Sequence, residues 1–238
     1  MDKWTVTEEA GVAVVKFDDG KANTLTLAEF DQMRAALEKA SRSKCQAVLL
    51  EGRPGYFSAG LNLKVMPTLE LSELMKTMQR FGEVVAELYV LDKPVVAAVG
   101  GHALGGGAIF GFASDVRLFA DGPFKYGLNE VAGGLVLPTF GIEPARSAVP
   151  VEYLTEVALH AKVMNPREAL DRRIAESVHP PEQLRQVALA RAQMLAELGG
   201  QAYAKTKLGI RGDSHKKILE RLPQEVETFA RLLSARGG

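Results

Sequence analysis

A run of five apolar residues at 95–99 (VVAAV), followed directly by the glycine-rich stretch 100–107 (GGHALGGG), constrains the fold most strongly. A strand without a polar position is typical of a sheet that is covered on both faces, as in α/β proteins. The apolar segment 108–113 then predicts a buried helix. Most candidate strands lie in the first half of the chain, and the pattern from about residue 143 onward is helical. The sequence therefore predicts an α/β core with a helical C-terminal part.

The other predicted elements follow from local periodicity and turn signals. Thr26 and Glu29 have the spacing of a capping box for a helix that extends to about residue 40. The remaining elements are strands at 4–7, 12–17, 47–50, 116–119 and 124–126, loops at 52–60 and 100–107, and helices that begin near residues 72, 151, 166, 181, 201 and 213. The Pro180-Pro181 pair predicts a boundary between a core (1–180) and a helical region (181–238), although the last helices could equally pack back on the core.

Composition excludes several classes of function. Lysine plus arginine equals aspartate plus glutamate at 29 each, so the chain has no global attraction for nucleic acid or an anionic membrane. The single cysteine, Cys45, cannot form an intramolecular disulfide, which favours a reducing compartment. The first residues lack the apolar segment of a signal peptide, and polar residues and glycines interrupt the apolar stretch 95–120. We expect a cytoplasmic protein without nucleic-acid or membrane partners. The four histidines have no metal-ligand spacing, so no metal is predicted.

Two glycine-containing loops, 55–64 (GYFSAGLNLK) and 100–108 (GGHALGGGA), each follow an apolar strand. Small residues in such turns allow backbone N–H groups to face a ligand. In the second loop a helix follows directly, so its free N–H groups and the positive end of its dipole would point at an oxygen placed there. Two donors from separate loops could form an oxyanion hole. The alternative is tight packing between strand and helix without any ligand.

The second loop also fits the nucleotide-binding loop of short-chain dehydrogenases, Gly-x-x-x-Gly-x-Gly from residue 101. Tyr203 and Lys207 have the spacing of the catalytic pair of those enzymes. Their glycine loop normally lies in the first βαβ unit, whereas here it begins only at residue 101, and Tyr203 lies in a late helical region. Two loose patterns of this kind often occur by chance, which disfavours this interpretation.

Taken together, several segments in a fixed order resemble the crotonase (enoyl-CoA hydratase/isomerase) superfamily. These segments are 19–25 (DGKANTL), 57–64 (FSAGLNLK), 93–99 (KPVVAAV), 101–107 (GHALGGG), 115–117 (DVR) and 126–130 (YGLNE). The match spans about residues 10–140, and Asn62 departs from the aspartate that is more usual in the family. The resemblance implies a crotonase-like superhelix of ββα units with a helical C-terminal part, usually assembled as a homotrimer or a dimer of trimers. It also implies an acyl-CoA thioester substrate in fatty-acid metabolism and no separate cofactor, since coenzyme A is part of the substrate.

The chemistry of this family passes through a thioester enolate that two backbone N–H groups hold. Carried over by position, the resemblance assigns these donors to Leu61 and Gly106. It further implies that the substrate contacts a set of residues in and around the two loops, namely Lys21, Ala59, Gly60, Lys64, Gly105 and Ile109. Lys21 and Lys64 flank the loops and could meet the CoA phosphates, although both could equally be ordinary solvated lysines.

The reaction type depends on two positions. Hydratases of the family use two glutamates, and the first of these positions is occupied here by Ile109, which cannot transfer a proton. The second is Glu130, in the sequence GLNE that resembles the Δ3-Δ2 isomerases. A single base can move a double bond by taking a proton from C2 and returning it to C4. The sequence therefore predicts an enoyl-CoA isomerase with Glu130 as catalytic base.

Burial of Glu130 among Val131, Leu135 and Val136 is expected to raise its pKa towards neutrality. Two alternatives stay open. The first is a hydratase, a lyase, with weak or unusual water activation. Another carboxylate could supply its second group, and Glu143 is the foremost candidate. The second is a non-catalytic acyl-CoA-binding member of the superfamily.

Overall fold

Residues 2–198 and 200–234 are described by this structure, a computed structural model, with the side chain of Ser234 excepted. The strands are β1 (Trp4–Glu9), β2 (Val12–Phe17), β3 (Thr24–Leu25), β4 (Ala47–Glu51), β5 (Gly55–Ser58), β6 (Gly60–Leu61), β7 (Val95–Val99), β8 (Gly101–Leu104), β9 (Val116–Ala120), β10 (Tyr126–Gly127) and β11 (Ser177–His179). The helices are α1 (Leu27–Arg42), α2 (Leu71–Tyr89), α3 (Gly106–Ala113), α4 (Thr139–Ala148), α5 (Val151–Leu154), α6 (Pro166–Asp171), α7 (Pro181–Ala196) and α8 (Gln201–Ser234). A 3-10 turn (Met66–Thr68) precedes α2, and a π-helical turn (Thr155–Leu159) continues α5.

The main sheet has the order β1-β2-β4-β7-β9-β11, and every pair in it is parallel except the β1-β2 hairpin. Its central strand, β7, is buried on both faces, as its apolar sequence predicts. Val95, Ala97 and Val99 belong to the large core beneath α1, α2 and α3, whereas Val96 and Ala98 pack towards α7. The predicted α/β core is therefore confirmed.

Two smaller parallel sheets lie apart from the main one, β10-β8-β5 and β3-β6. Strands β5 and β8 and the start of β6 lie in segments predicted as loops, whereas β10 overlaps the predicted strand 124–126. The predicted loops 52–60 and 100–107 are thus partly wrong, because β5, β8 and the first residue of β6 lie within them. These strands have two to four residues, which is too short for a visible alternation of polar and apolar positions. Only their pairing with each other in the folded chain makes them strands.

Local signals at helix ends were more reliable. Thr26 and Glu29 form the predicted capping box at the start of α1, in which the backbone N–H of Thr26 donates to Glu29 Oε2 over 2.9 Å. The buried helix after the second glycine loop begins at Gly106, two residues earlier than expected. The helix start predicted near residue 201 is confirmed, whereas the separate start near 213 is wrong, because α8 continues through that position.

The long helix α8 is held along the body of the protein at several places. Near its start, Lys207 Nζ lies 2.7 Å from Asp115 Oδ2, and Arg211 lies 3.0 Å from the other carboxylate oxygen. Further along, Leu222 packs on α2 at Gly82, where a Cβ atom would come within 2.2 Å of the leucine side chain. Helix α7 covers the β4-β7 face of the main sheet. The chain after residue 180 thus packs on the core, and a domain boundary at that residue stays a prediction.

No helix in the described part of the chain combines the length and apolar character needed to cross a lipid bilayer. Among the same residues, no group of three or more histidine, cysteine, aspartate or glutamate side chains has a metal-binding arrangement.

Candidate active site

A cleft with a cavity of about 90 Å³ lies where β6, the start of α3 and the segment 129–138 meet. Its surface is mostly apolar, and its walls come from five separate parts of the chain. The lining residues are Ala59, Gly60, Leu61, Leu63, Met78, Phe81, Gly105, Gly106, Ile109, Asn129, Glu130, Gly133, Leu135, Pro138 and Phe229. Met78, Phe81 and Phe229 are buried at one side, whereas Leu63 is 57% exposed. The cleft therefore opens to solvent on the side of Leu63.

The first backbone wall is strand β6. Leu25 and Leu61 lie opposite each other in the parallel β3-β6 pair, and the carbonyl of Leu25 accepts the N–H of Asn62 over 2.9 Å. In a parallel pair this pattern directs the N–H of Leu61 away from β3. The preceding Gly60 has φ +80°, and a Cβ on it would lie 2.6 Å from the Leu104 carbonyl oxygen and 3.1 Å from the Gly106 nitrogen. Only glycine permits β6 to approach the start of α3 so closely.

The second backbone wall is the first turn of α3. Gly105 has φ +52° and Gly106 is the first helical residue, so the N–H of Gly106 has no acceptor within its own helix. The N-terminal end of the helix dipole adds positive potential at the same point. The structure thus brings the two predicted donors, Leu61 and Gly106, into one cleft from separate backbone segments. Their role as an oxyanion hole stays a prediction.

Glu130 lies directly against this turn. A Cβ on Gly105 would be 3.3 Å from Glu130 Oε1, while Oε2 is buried and has no hydrogen-bond partner. Loss of water around the carboxylate raises the pKa of Glu130 to about 7, although nearby backbone N–H groups act in the opposite sense. Among the described residues that line the cleft, no other side chain is charged. The cleft therefore contains one carboxyl group that can be ionised or protonated near neutral pH.

The predicted neighbours of Glu130 are partly wrong. Leu135 is buried and lines the cleft, but Val131 and Val136 are 39% and 57% exposed. The reason is a tight turn, in which Gly133 N–H donates to the Asn129 carbonyl and Leu135 N–H donates to the carbonyl of Glu130, each over 2.9–3.0 Å. The turn reverses the chain and leaves both valines facing solvent. Burial of Glu130 therefore comes from the Gly105 turn and the cleft walls.

Neither candidate position for a second carboxylate supplies one to the cleft. Ile109 is buried and contributes hydrocarbon to the wall. Glu143 is buried elsewhere, where it accepts hydrogen bonds from Ser214 Oγ at 2.7 Å and Lys217 Nζ at 2.5 Å. Burial acts to raise the pKa of Glu143, but the bonds from Lys217 and Ser214 outweigh it and the pKa is lowered. Glu143 thus anchors α8 to α4 and is not part of the cleft.

The remaining predicted substrate-contacting residues differ in whether they line the cleft. Ala59 lines the cleft, whereas the exposed Lys21 and Lys64 do not, so their contact with CoA phosphates stays a prediction. His102 packs between Tyr56 and Phe124, with ring centroids 5.3 and 5.6 Å away, which supports a packing role.

The pair typical of dehydrogenases is also outside the cleft. Burial lowers the pKa of Lys207 to about 8, with Asp115 acting in the opposite sense. The ammonium group of Lys207 donates to Asp115 and to the carbonyl of Lys93, at 2.7 and 3.0 Å. Lys207 therefore anchors α8, and the glycine loop it would serve faces Glu130 instead.

Sequence patterns did not reveal Phe81, Pro138 or Phe229 as cleft residues. Phe81 was visible only as one member of the apolar face of α2, and it packs against Phe30 and Phe140 at 4.6 and 4.8 Å. Phe229 lies about a hundred residues after Glu130 on a helix whose path the local sequence does not specify. No motif marks either residue, because their place in the wall depends on how α2 and α8 cross.

Fold and cleft together define a class of enzyme site, in which backbone N–H groups lie beside a single carboxyl group of raised pKa within apolar walls. The family model for enoyl-CoA hydratase/isomerase matches residues 7–236, and the chain belongs to this family. The predicted family and crotonase fold are confirmed.

Known proteins similar to this chain carry both isomerase and hydratase names. Human mitochondrial enoyl-CoA delta isomerase 1 is 27% identical, with 94% of this chain and 76% of that protein covered. A probable enoyl-CoA hydratase, EchA17 of Mycobacterium tuberculosis, is 26% identical, with 98% and 89% covered. The crystal structure of human mitochondrial delta3-delta2-enoyl-CoA isomerase superposes with a TM-score of 0.93 at 26% identity, covering 98% of this chain and 93% of that one. At such identities the names do not choose between the two reactions.

Proposed function

We propose that this protein is an enoyl-CoA Δ3-Δ2 isomerase with Glu130 as its only acid-base group. The observation that carries the proposal is the content of the cleft. Glu130 is the one charged side chain among its described lining residues, and hydrocarbon from Ile109 occupies the place of a second carboxylate. Moving a double bond requires one group that takes a proton and returns it, whereas hydration also requires a positioned water and a second proton transfer.

In the proposed reaction, the thioester oxygen of a 3-enoyl-CoA accepts hydrogen bonds from the N–H groups of Leu61 and Gly106. Glu130 removes a proton from C2, and the C–H electron pair forms the enolate while negative charge develops on the thioester oxygen. The electrons then return from the enolate to form the C2–C3 double bond. At the same time the former C3–C4 double bond takes up the proton from Glu130 at C4, and the product is the conjugated 2-enoyl thioester. Atoms and charge balance without a cofactor. The two donors act most strongly when the oxygen carries the developing charge.

The environment of Glu130 suits this role. A pKa of about 7 leaves a substantial fraction of the carboxyl ionised at neutral pH and makes it a stronger base than an ordinary glutamate. The same value allows the protonated form to persist long enough to deliver the proton to C4. The apolar walls exclude competing water, which also opposes addition of water to the product.

Hydration is the second candidate function, because relatives of equal similarity carry hydratase names. It would require Glu130 to activate water and also deliver a proton, since Ile109 cannot take part and Glu143 is bonded to Lys217 and Ser214.

The deciding experiment compares wild type with Glu130→Gln on a 3-enoyl-CoA and on crotonyl-CoA. Appearance of the conjugated thioester absorbance reports isomerisation, and its loss reports hydration. We expect wild type to isomerise much faster than it hydrates, and Glu130→Gln to lose isomerisation by at least about 10³-fold. Glu197→Gln, at an exposed position far along the chain, is the matched control and should be unchanged. Undiminished isomerisation by Glu130→Gln contradicts the assignment. Faster hydration than isomerisation by wild type supports the hydratase, and acyl-CoA binding without turnover supports a non-catalytic role.

A further inference from the structure

Helix α4 begins without a cap of its own. Its first residue, Thr139, follows Pro138, and proline has no side-chain oxygen that could accept from the free N–H groups of the first turn. The missing acceptor comes from α8, 86 residues further along the chain. Glu225 Oε2 accepts the backbone N–H of Thr139 over 2.7 Å, and Glu225 Oε1 accepts the hydroxyl of the same residue. One carboxylate thus caps a helix in another part of the fold.

The capped turn is the end of the segment that carries Glu130. At the near end, the Leu135 N–H donates to the carbonyl of Glu130 over 2.9 Å. At the far end, Pro138 lines the cleft and its carbonyl accepts from Gly141 over 2.8 Å. Between them lie Gly133 and Gly134, which give the segment conformational freedom. The hydrogen bonds between Thr139 and Glu225 connect this end of the segment to α8.

The same turn of α8 also forms part of the cleft wall. Phe229 lies four residues after Glu225, hence on the same side of the helix, and it lines the cleft. Glu225 itself is not among the lining residues. Fastening Glu225 to Thr139 therefore fixes two parts of the site at once, the segment 130–138 and the wall that Phe229 supplies.

We infer that Glu225 is a positioning residue. Its bonds to Thr139 hold the segment 130–138 next to α8 and thereby fix Glu130 beside Gly105. This inference rests on the proposed role of Glu130 as the base. It follows from geometry, since the carboxylate connects α8 to Thr139, the residue that directly follows the segment 130–138, and is not among the residues that line the cleft.

Release of the segment should alter Glu130 in two ways. A carboxylate displaced by about 1 Å from the reacting carbon can lose roughly 10²-fold in rate. Entry of water would also restore hydration of the buried Oε2 and lower the pKa of Glu130 from about 7 towards its ordinary value. No other charged side chain among the described residues lines the cleft, so the acid limb of the pH-rate profile reports this group.

The test uses the full chain with Glu225→Ala, Glu225→Gln and the control Glu227→Ala, whose residue is exposed and pairs with Arg231 within α8. Amide hydrogen exchange across 130–141 is followed by mass spectrometry, and kcat is measured against pH with a 3-enoyl-CoA. We expect Glu225→Ala to accelerate exchange in that segment, to lower kcat at least about tenfold, and to shift the acid limb to lower pH. Glu225→Gln keeps one acceptor for the Thr139 N–H and should recover part of each effect. Glu227→Ala should match wild type.

Unchanged exchange and an unchanged pH profile in Glu225→Ala would overturn the inference, as would faster exchange spread evenly over the whole chain. The exchange measurement needs no turnover. If Glu225→Ala exchanges faster in 130–141 but wild type does not isomerise 3-enoyl-CoA, the result supports the positioning role of Glu225 and contradicts the proposed function. If wild type is active but Glu225→Ala leaves exchange in 130–141 unchanged, the result contradicts only the positioning role of Glu225.

Discussion

The carboxylate of Glu130 lies where a side chain on residue 105 would begin: a Cβ atom on Gly105 would be 3.3 Å from Oε1 of Glu130. Gly105 also has φ +52°, a backbone conformation that residues with a side chain rarely adopt. The glycine at the start of α3 therefore does two things: its backbone conformation starts the helix at Gly106, which lines the cleft, and its lack of a side chain leaves room for the carboxylate.

Substitution of Gly105 by alanine is expected to reduce isomerisation by about 10²-fold, because the methyl group displaces Glu130 and strains the turn. The measurement is kcat with a 3-enoyl-CoA, together with the free energy of unfolding, which should fall by about 1–3 kcal/mol. Gly209→Ala is the matched control, since Gly209 lies within α8 and nothing is within 4 Å of its Cβ position. It should leave kcat unchanged and leave stability equal or slightly higher. Equal activity of Gly105→Ala and wild type would contradict the contact.

The rate of isomerisation should depend on pH through Glu130. A base must be deprotonated to act, so kcat/KM is expected to rise with pH and to level off above a pKa of about 7. A glutamate with its ordinary pKa of 4.5 would give this limb near pH 4.5. The measurement is kcat/KM from about pH 5 to 9 with corrections for protein stability at each pH. A flat profile across this range would show that Glu130 has no raised pKa.

The raised pKa of Glu130 should also lower the free energy of unfolding at neutral and higher pH. The folded state holds the proton up to about pH 7, whereas the unfolded state releases it near 4.5, so stability from this group falls as pH rises between those values. Glu130→Gln removes the cost. We expect it to be more stable than wild type by about 3 kcal/mol at pH 8, and by about 1 kcal/mol at pH 5. Urea unfolding at both pH values measures this, and an equal difference at the two would contradict the burial of the carboxylate.

In the proposed mechanism, the apolar side chain of Ile109 is the reason why the cleft favours isomerisation over hydration. Ile109→Glu places a second carboxyl group in the cleft and is expected to raise the ratio of crotonyl-CoA hydration to isomerisation by about tenfold or more, because a second group can then transfer a proton. The variant should lose about 1–3 kcal/mol of stability, since a carboxyl group replaces a buried hydrocarbon. Ile109→Gln controls for size and polarity without an acid-base group and should not gain hydration. A hydration ratio identical in the two variants would contradict the role given to this position.

Much of the site was visible in the sequence because its parts are backbone features. Glycines at 60 and 105 permit conformations that other residues resist, so the pattern of glycines after apolar strands predicts where backbone N–H groups are free. The apolar run at 95–99 likewise predicts a buried strand, and Glu130 stands in a motif whose order along the chain resembles a known family. These are short-range properties of the chain and need no knowledge of its path.

Tertiary structure decided the environment of each group. Whether Glu143 joins the cleft depends on α8, whose Lys217 and Ser214 bond it at a separate place. The desolvation of Glu130 comes from the Gly105 turn and not from Val131 and Val136, which a local turn directs outward. Phe229 lines the cleft and Glu225 bonds Thr139 only because one long helix crosses α2 and α4. The sequence by itself determined the longer strands, the glycine turns and the position of Glu130, whereas the short strands, the burial of the carboxylate and the course of α8 depend on contacts between residues far apart in the chain.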